Sequence, residues 1–218
     1  MFLNITKSPL IVLSTMQTAT SPVHLSPKDY QQYFEQGISY ETYLHHMEGE
    51  VVTPPSTAYA QYIPMNLHRT KRIAKTLQLT DALKTTLSSL TGRLNWLVIS
   101  EHWCGDASQT LPLIHAIAEA ANGKIDLRIV YRDENPELME AHLTRGTKSI
   151  PKLIQLDQHF EVTDTWGPRP AEAQGMVLAL KSNPETAKTY TESLHKWYAV
   201  DKTLSTQAEL LAILDKSL

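Results

Sequence analysis

A short apolar run that leads into a helix constrains the fold of this chain most. Residues 96–99 read Trp-Leu-Val-Ile, which is typical of a strand buried on both faces of a sheet. Cys104 follows and opens a helical pattern, with apolar residues on one side, that stops at Gly123. A buried strand followed at once by a helix predicts an α/β domain, because neighbouring parallel strands need a helical crossover.

The residues that follow continue this alternation of strands and helices. Residues 124–133 alternate apolar and polar side chains as a strand does, and a helix is predicted from Pro136 to Leu143. Two further strands in 150–166 and a helix from Pro170 complete the order β-α-β-α-β-β-α. This order predicts an α/β sheet domain over residues 92–182.

The N-terminal third has a helical pattern instead. A first helix begins with a Ser-Pro pair at Ser26 and stops at Gly37. Further along, Pro64 is expected to kink a long helix, and Thr80 is expected to cap another. We expect residues 26–91 to form a helical extension of the sheet domain.

The two ends of the chain carry weaker signals. Residues 1–25 hold an apolar stretch too short for a signal-peptide core, so we expect a disordered leader, with Met16 as an alternative start to Met1. Residues 183–218 are expected to form a helical tail, and the aromatic pair Trp197-Tyr198 is expected to pack it onto the domain. No run approaches the roughly 18 apolar residues of a membrane span.

Composition narrows the class of protein. The formal net charge is −3 and the Lys and Arg residues are scattered, which argues against a nucleic-acid partner. The single cysteine excludes an intramolecular disulfide and fits a reducing compartment, so a cytoplasmic location is expected. The histidines show no ligand spacing, so neither a metal nor another cofactor is expected. The sequence leaves the oligomeric state open.

Five short motifs, taken in order, resemble the thioredoxin family over about 90 residues. They correspond to the start of that family's Trp-Cys-Gly-Pro-Cys motif, its helix-kinking proline, its Asp-x-Asn-Pro loop, its cis-proline and its small-residue loop: Trp103-Cys104-Gly105, Pro112, Asp133-Glu134-Asn135-Pro136, Ile150-Pro151 and Trp166-Gly167. The resemblance implies a thioredoxin-like fold, and the helical first third and tail are similar to a bacterial thioredoxin-like subgroup.

The resemblance also implies a site. Cys104 would be the nucleophile, and Pro151 would be cis, facing Cys104 and shaping substrate docking. The candidate substrate-binding residues are Trp103, Gly105, Ile150, Pro151, Gly167 and Arg169.

The motif Trp-Cys-Gly-Asp-Ala departs from the family at positions that matter for chemistry. Ala107 stands where the family has its resolving cysteine, so no internal thiol can release a mixed disulfide formed at Cys104. Val98 replaces the family's buried carboxylate, and Asp106 replaces its proline. Dithiol reductase turnover is therefore excluded.

Two effects oppose each other at Cys104. The amides and positive dipole end of a helix N-terminus lower a thiol pKa, and His102 would add a positive charge if it turned toward the sulfur. Asp106 in the first turn disfavours a thiolate. We expect the Cys104 pKa to lie below the free value of about 8.5. The alternative is an inert, partly buried Cys104 with His102 as an exposed loop histidine.

Three cations near the motifs raise the idea of anion binding. Arg169 at the rim of the site would bind an acidic thiol such as glutathione through a carboxylate. Arg145 and Lys148, shortly before Pro151, suggest the same role. The alternative is that these side chains are solvated surface cations.

Two functions from different classes follow. In the first, the Cys104 thiolate exchanges with a mixed disulfide and an external thiol resolves it, with a protein thiol or a low-molecular-weight thiol as partner. In the second, the protein is a non-catalytic binding module for a peptide or small molecule, with Cys104 as part of the scaffold.

Overall fold

A mixed sheet of four strands, in the order β2-β1-β3-β4, lies at the centre of the molecule. The computed structural model describes residues 23–218, so nearly all of the expected leader, including Met16, lies outside the described residues. Strands β1 and β2 are parallel, whereas β3 runs antiparallel to both β1 and β4. The strand bounds are β1 Leu94–Ser100, β2 Ile125–Tyr131, β3 Lys152–Leu156 and β4 Val162–Trp166.

Helices surround this sheet. Within the described residues the α-helices are α1 Pro27–Gln36, α2 Tyr40–Val52, α3 Ile63–Thr76, α4 Asp81–Ser89, α5 Ala107–Ala120, α6 Pro136–Ala141, α7 Ala171–Ser182, α8 Tyr190–Asp201 and α9 Leu204–Leu214, with 3-10 turns at Ala60–Tyr62 and Asp215–Ser217. From β1 to α7 the order is the predicted β-α-β-α-β-β-α. The α/β thioredoxin-like architecture expected from the sequence is therefore confirmed.

Strand β1 forms the middle of the core, as its apolar run predicts. Trp96, Leu97, Val98 and Ile99 are fully buried. Val98 is paired with Ile129 of β2 on one side and Leu153 of β3 on the other. Helix α5 returns the chain so that β2 can run parallel to β1, which is the crossover that parallel pairing requires.

Local capping explains where the N-terminal helices begin. Ser26 and Asp29 form a capping box at α1, and the Thr80 side chain accepts from the Leu83 amide at α4. Pro64 lies in the first turn of α3, where a missing N–H costs no hydrogen bond. The predicted kink at Pro64 is therefore wrong.

The N-terminal helices share the core of the sheet. Tyr30, Phe34, Tyr43 and Leu83 belong to the same buried cluster as β1. Ile38 also extends the pairing at the β2 edge, since it exchanges two backbone hydrogen bonds of 2.9 Å with Ile129.

The C-terminal helices pack on different parts of the molecule. Leu210 and Leu214 of α9 join the main core, whereas Leu194 and Tyr198 of α8 pack in a separate cluster with α7. Trp197 is partly buried and donates to Glu172 of α7. Across residues 23–218, no helix combines the length and apolar character needed to cross a membrane.

Candidate functional site

The loop after β1, residues 101–106, carries Cys104. The Cys104 amide donates to the Glu101 carbonyl at 3.0 Å, which closes a turn before the helix. Helix α5 begins at Ala107, with Asp106 as its N-cap residue, and not at Cys104 as predicted. Cys104 and Gly105 therefore belong to the loop, and the sulfur lies just before the first amides of the helix.

The Cys104 thiol is enclosed and hydrogen-bonded on two sides. The side chain is buried, its Sγ donates to the Ile150 carbonyl at 3.3 Å, and it accepts from the Ala107 amide at 3.4 Å. The peptide bond between Ile150 and Pro151 is cis. The structure thus brings Cys104 and the Ile150-Pro151 segment together, as the resemblance implies.

Burial dominates the acidity of this thiol. Desolvation, and to a smaller extent the Asp106 charge, raise the pKa of Cys104 to about 12, although the amides of Ala107 and Asp106 oppose the rise. The expectation of a pKa below the free value is therefore wrong, because burial outweighs the helix N-terminus. The resting group at neutral pH is a protonated thiol that donates to Ile150.

His102 faces away from the sulfur. Its Nδ1 lies 2.7 Å from Glu50 Oε2, and its Nε2 lies 3.1 Å from the Tyr43 carbonyl and 3.2 Å from the Tyr131 hydroxyl. His102 and Cys104 line one internal cavity of about 10 Å³, but no hydrogen bond joins them. His102 is only 2% exposed, and burial lowers its pKa. Both sequence interpretations of His102, as a partner of the sulfur and as an exposed loop residue, are wrong.

Asp106 forms a buried network with residues from the end of the chain. It accepts from Arg169 through Nε at 3.1 Å and through a second guanidinium nitrogen, and from the Tyr198 hydroxyl at 2.8 Å. Arg169 also donates to Gln174. The interpretation of Arg169 as a solvated surface cation is wrong, because its side chain is 14% exposed and its donors are engaged.

Helix α8 lies against the cysteine loop. A Cβ atom at Gly105 would lie 3.3 Å from the His195 ring, and Gln109 Nε2 lies 3.3 Å from His195 Nδ1. Burial, followed by the charge of Arg69, lowers the pKa of His195 to about 4. A glycine at position 105 therefore allows the close approach of α8 to the loop.

Helix α3 holds the loop from another side. Asn66 is fully buried and donates to the His102 carbonyl at 3.1 Å, and Arg69 donates to Asn66 at 3.0 Å. Sequence reasoning missed Asn66, Arg69 and His195, since no local pattern marks them. Tyr198 carried a signal, its place in an aromatic pair, but that signal indicated packing only.

The remaining candidate residues lie around Pro151. Pro151 itself is buried, and Gly167 has a φ of +114°, where an added Cβ would come within 2.2 Å of the Pro151 carbonyl oxygen. Only glycine fits this approach. Trp103 is partly buried between the Tyr59 ring, with centroids 4.8 Å apart, and the Arg132 guanidinium, 4.7 Å from its ring centre.

The other predicted cations are placed apart from this network. Lys148 forms an exposed ion pair with Glu140 at 3.2 Å. Arg145 is exposed on a turn with a φ of +52°. In the part of the chain that the structure describes, no group of three or more His, Cys, Asp or Glu side chains is arranged to hold a metal ion.

Comparisons with known proteins agree with this fold. The crystal structure of a protein of unknown function from Pseudomonas aeruginosa is 19% identical, covers 87% of this chain and 98% of its own, and superposes with a TM-score of 0.60. An HIV epitope scaffold has the same identity, coverage of this chain and TM-score, over 99% of its own length. At this identity the likeness shows the fold alone.

The sequence comparisons add the family. A search of the curated proteins finds no match. A family model described as thioredoxin matches residues 53–189, which is more than half of the chain and includes the cysteine loop, Pro151 and Gly167. The protein therefore belongs to the thioredoxin family.

Proposed function

We propose that this protein is a thioredoxin-fold binding module for a peptide segment, with Cys104 as a structural thiol. The state of Cys104 carries the proposal: its proton is donated to Ile150, its side chain is buried, and its pKa is raised to about 12. A nucleophilic thiol needs exposure and thiolate character, and this loop supplies neither.

An exposed aromatic surface beside the loop supports binding. Tyr59, Tyr62 and Met65 are each about half exposed, and they follow one another at three-residue intervals from the residue before the 3-10 turn to the first turn of α3. Tyr59 stacks on Trp103, so this surface is continuous with the cysteine loop. We call these four residues the aromatic surface. Exposed apolar side chains grouped in this way are typical of protein interaction sites.

The charge of a neighbouring cleft favours a basic partner, and Arg132, which lies over Trp103 and pairs with Asp133, is the cation between that cleft and the aromatic surface. A cleft of about 900 Å³ lies at the carboxyl ends of the parallel strands β1 and β2, and none of the described residues that line it is Lys or Arg. Its wall includes Glu50, Glu101, Asp133 and Glu134. Burial raises the pKa of Glu101 to about 7, so a nearby cation would stabilise its charged form. We therefore expect a peptide that combines aromatic or aliphatic side chains with Lys or Arg.

Selection from a random peptide library tests this function. We expect enriched peptides to carry basic and apolar residues together, and the Tyr62→Ser, Met65→Ser double variant to bind them at least tenfold more weakly. Val200→Ser is the matched control, because Val200 is an exposed apolar residue on α8, and it should leave binding unchanged. Enrichment of acidic peptides, or equal binding by the double variant, would contradict the proposal.

Monothiol exchange is the second candidate, favoured by the Ala107 amide that donates to the sulfur. In this reaction the Cys104 thiolate attacks one sulfur of a disulfide and forms a mixed disulfide, while the other sulfur leaves as a thiolate. An external thiolate then attacks the substrate sulfur of the mixed disulfide, which forms a new disulfide and releases the Cys104 thiolate. Mass spectrometry after incubation with oxidised glutathione separates the candidates. The binding module predicts no adduct on the folded protein, whereas an adduct released by reduced glutathione supports exchange.

A further inference from the structure

A second cavity, of about 330 Å³, lies beside the Gly167-Pro168 segment, and its lining includes two cations that have no ion-pair partner among the described residues. Its wall comes from the turn before β3, the first residue of β3, the end of β4 and the start of α7. The residues that matter for its chemistry are Thr144, Arg145, Lys152, Arg169 and Glu209. We call it the Lys152 cavity.

Lys152 is the unusual member of this wall. It is 7% exposed, and among residues 23–218 no carboxylate or other acceptor lies within ion-pair or hydrogen-bond distance of its ammonium. Burial lowers its pKa, with no opposing charge to restore it. Buried charges in proteins are usually paired, because an isolated one loses its hydration without compensation. The Lys152 ammonium nitrogen nevertheless stays accessible to solvent, so an anionic ligand in the cavity can reach it and supply the missing counter-charge.

A buried hydroxyl in the same wall also lacks a partner. Thr144 Oγ1 is inaccessible to solvent and makes no hydrogen bond with the described residues. The next residue, Arg145, has a left-handed backbone at the tip of the turn, which Thr144 and Thr147 close by two backbone hydrogen bonds. The guanidinium of Arg145 and the ammonium of Lys152 thus belong to the lining of one space, and both groups bind oxyanions, whereas the solvent-inaccessible Thr144 hydroxyl has no surface open to a ligand there.

The other charges of the wall are already neutralised or engaged. Arg169 is paired with Asp106, and Glu209 accepts from the Trp166 indole at 2.6 Å and the Ala171 amide at 2.7 Å. His142 is neutral, since burial and the Lys152 charge lower its pKa to about 4. The wall therefore carries two positive charges without an ion-pair partner, on Arg145 and Lys152, and one negative charge, on Glu209.

We propose that the Lys152 cavity is a binding site for a small molecule that carries a phosphate or carboxylate group. The oxyanion would accept from Lys152 and Arg145. This site shares no residue with the aromatic surface, so its existence does not depend on the proposed peptide binding.

NMR titration of the full chain tests the site. Inorganic phosphate is added in one arm and acetate in the other, with chloride keeping the ionic strength constant. We expect saturable shifts of the backbone amides of 144–147 and 165–167 in at least one arm, and the tighter anion identifies the ligand class. Absence of saturable shifts at these amides in both arms would overturn the proposal.

Three variants assign the binding to these residues. Lys152→Met should weaken binding at least tenfold, because it removes the ammonium group and keeps an unbranched apolar side chain in its place. Arg145→Gln, at an exposed position that does not endanger folding, should weaken binding at least threefold. Lys148→Gln is the matched control and should leave binding unchanged, since Lys148 is paired with Glu140. Unchanged binding in Arg145→Gln or Lys152→Met, or equal weakening in Lys148→Gln, would contradict the assignment.

Discussion

The cysteine loop and the Lys152 cavity differ in how their polar groups are satisfied. In the loop, the Cys104 thiol, His102 and Asp106 each have partners inside the protein. In the cavity, Lys152 and the Thr144 hydroxyl have no partner among the described residues. The loop carries the family motif, yet its pairing is that of a structural element. The comparison shows that a family motif can lie on a loop whose polar groups are already paired, while unpaired cations lie elsewhere in the fold.

The largest expected effect comes from breaking the loop's ion pair. Asp106→Ala leaves Arg169 and the Tyr198 hydroxyl buried without their acceptor, which should lower the free energy of unfolding by about 3–5 kcal/mol. Urea unfolding measures the change. Asp164→Ala is the control, because Asp164 forms an ion pair with the largely exposed Lys216, and it should cost about 1 kcal/mol or less. Equal costs at the two positions would show that the loop network is not structural.

The second effect concerns the close contact between Gly167 and Pro151. This contact lies between the cysteine loop and the Lys152 cavity. Gly167→Ala should destabilise the protein by about 2–3 kcal/mol, because the new Cβ would overlap the Pro151 carbonyl. Gly175→Ala lies inside α7 with open space around it and should instead stabilise the protein by about 0.5–1 kcal/mol. Thermal unfolding of both variants compares them, and a tolerated Gly167→Ala would refute this placement of the loop.

The third effect is a dependence of the free energy of unfolding on pH, caused by His195 of α8. The pKa of His195 is lowered to about 4 in the folded protein, so the unfolded chain binds more protons between that value and about 6.5. Stability from His195 is therefore present above pH 6.5 and lost as the pH falls toward 4. His195→Gln should reduce this acid destabilisation by about 1–2 kcal/mol, after allowance for solvent screening.

Two further variants check the sign of this effect by urea unfolding at pH 7 and pH 4.5. Exposed His68, replaced by Gln, should leave the difference between the two pH values unchanged. Glu101→Gln should increase the acid destabilisation, because the raised pKa of Glu101 makes its own contribution to stability grow as the pH falls from 7. A His195→Gln profile identical to that of the original protein would contradict the burial of His195 against the loop.

The order of strands and helices could be predicted from sequence because its signals are local. The apolar run at 96–99, the cap at Ser26 and the cap at Thr80 each involve neighbouring residues. Pro64 shows the limit of such signals, since a proline in a helical pattern is compatible with either a kink or a start.

The chemistry of the site could not be predicted in the same way. Asp106 accepts hydrogen bonds from Arg169 and Tyr198, which lie 63 and 92 positions further along the chain. His102 is hydrogen-bonded to Glu50, 52 positions earlier. No pattern in the sequence specifies such distant pairings. The acidity of Cys104 also depends on burial by separate segments, whereas the two local signals oppose each other, since the helix N-terminus lowers the pKa and Asp106 raises it.

Alkylation of Cys104 over a pH series tests directly whether this thiol is structural. The chain has one cysteine, so iodoacetamide reports on Cys104 alone, with Cys104→Ser as the blank and the urea-unfolded chain as the matched control. If the thiol is structural, the folded protein reacts at least a hundredfold more slowly than the unfolded chain at pH 7 and shows no titration below about pH 10. A folded-state thiol that titrates at or below about 8.5 would contradict this structural role and support monothiol exchange.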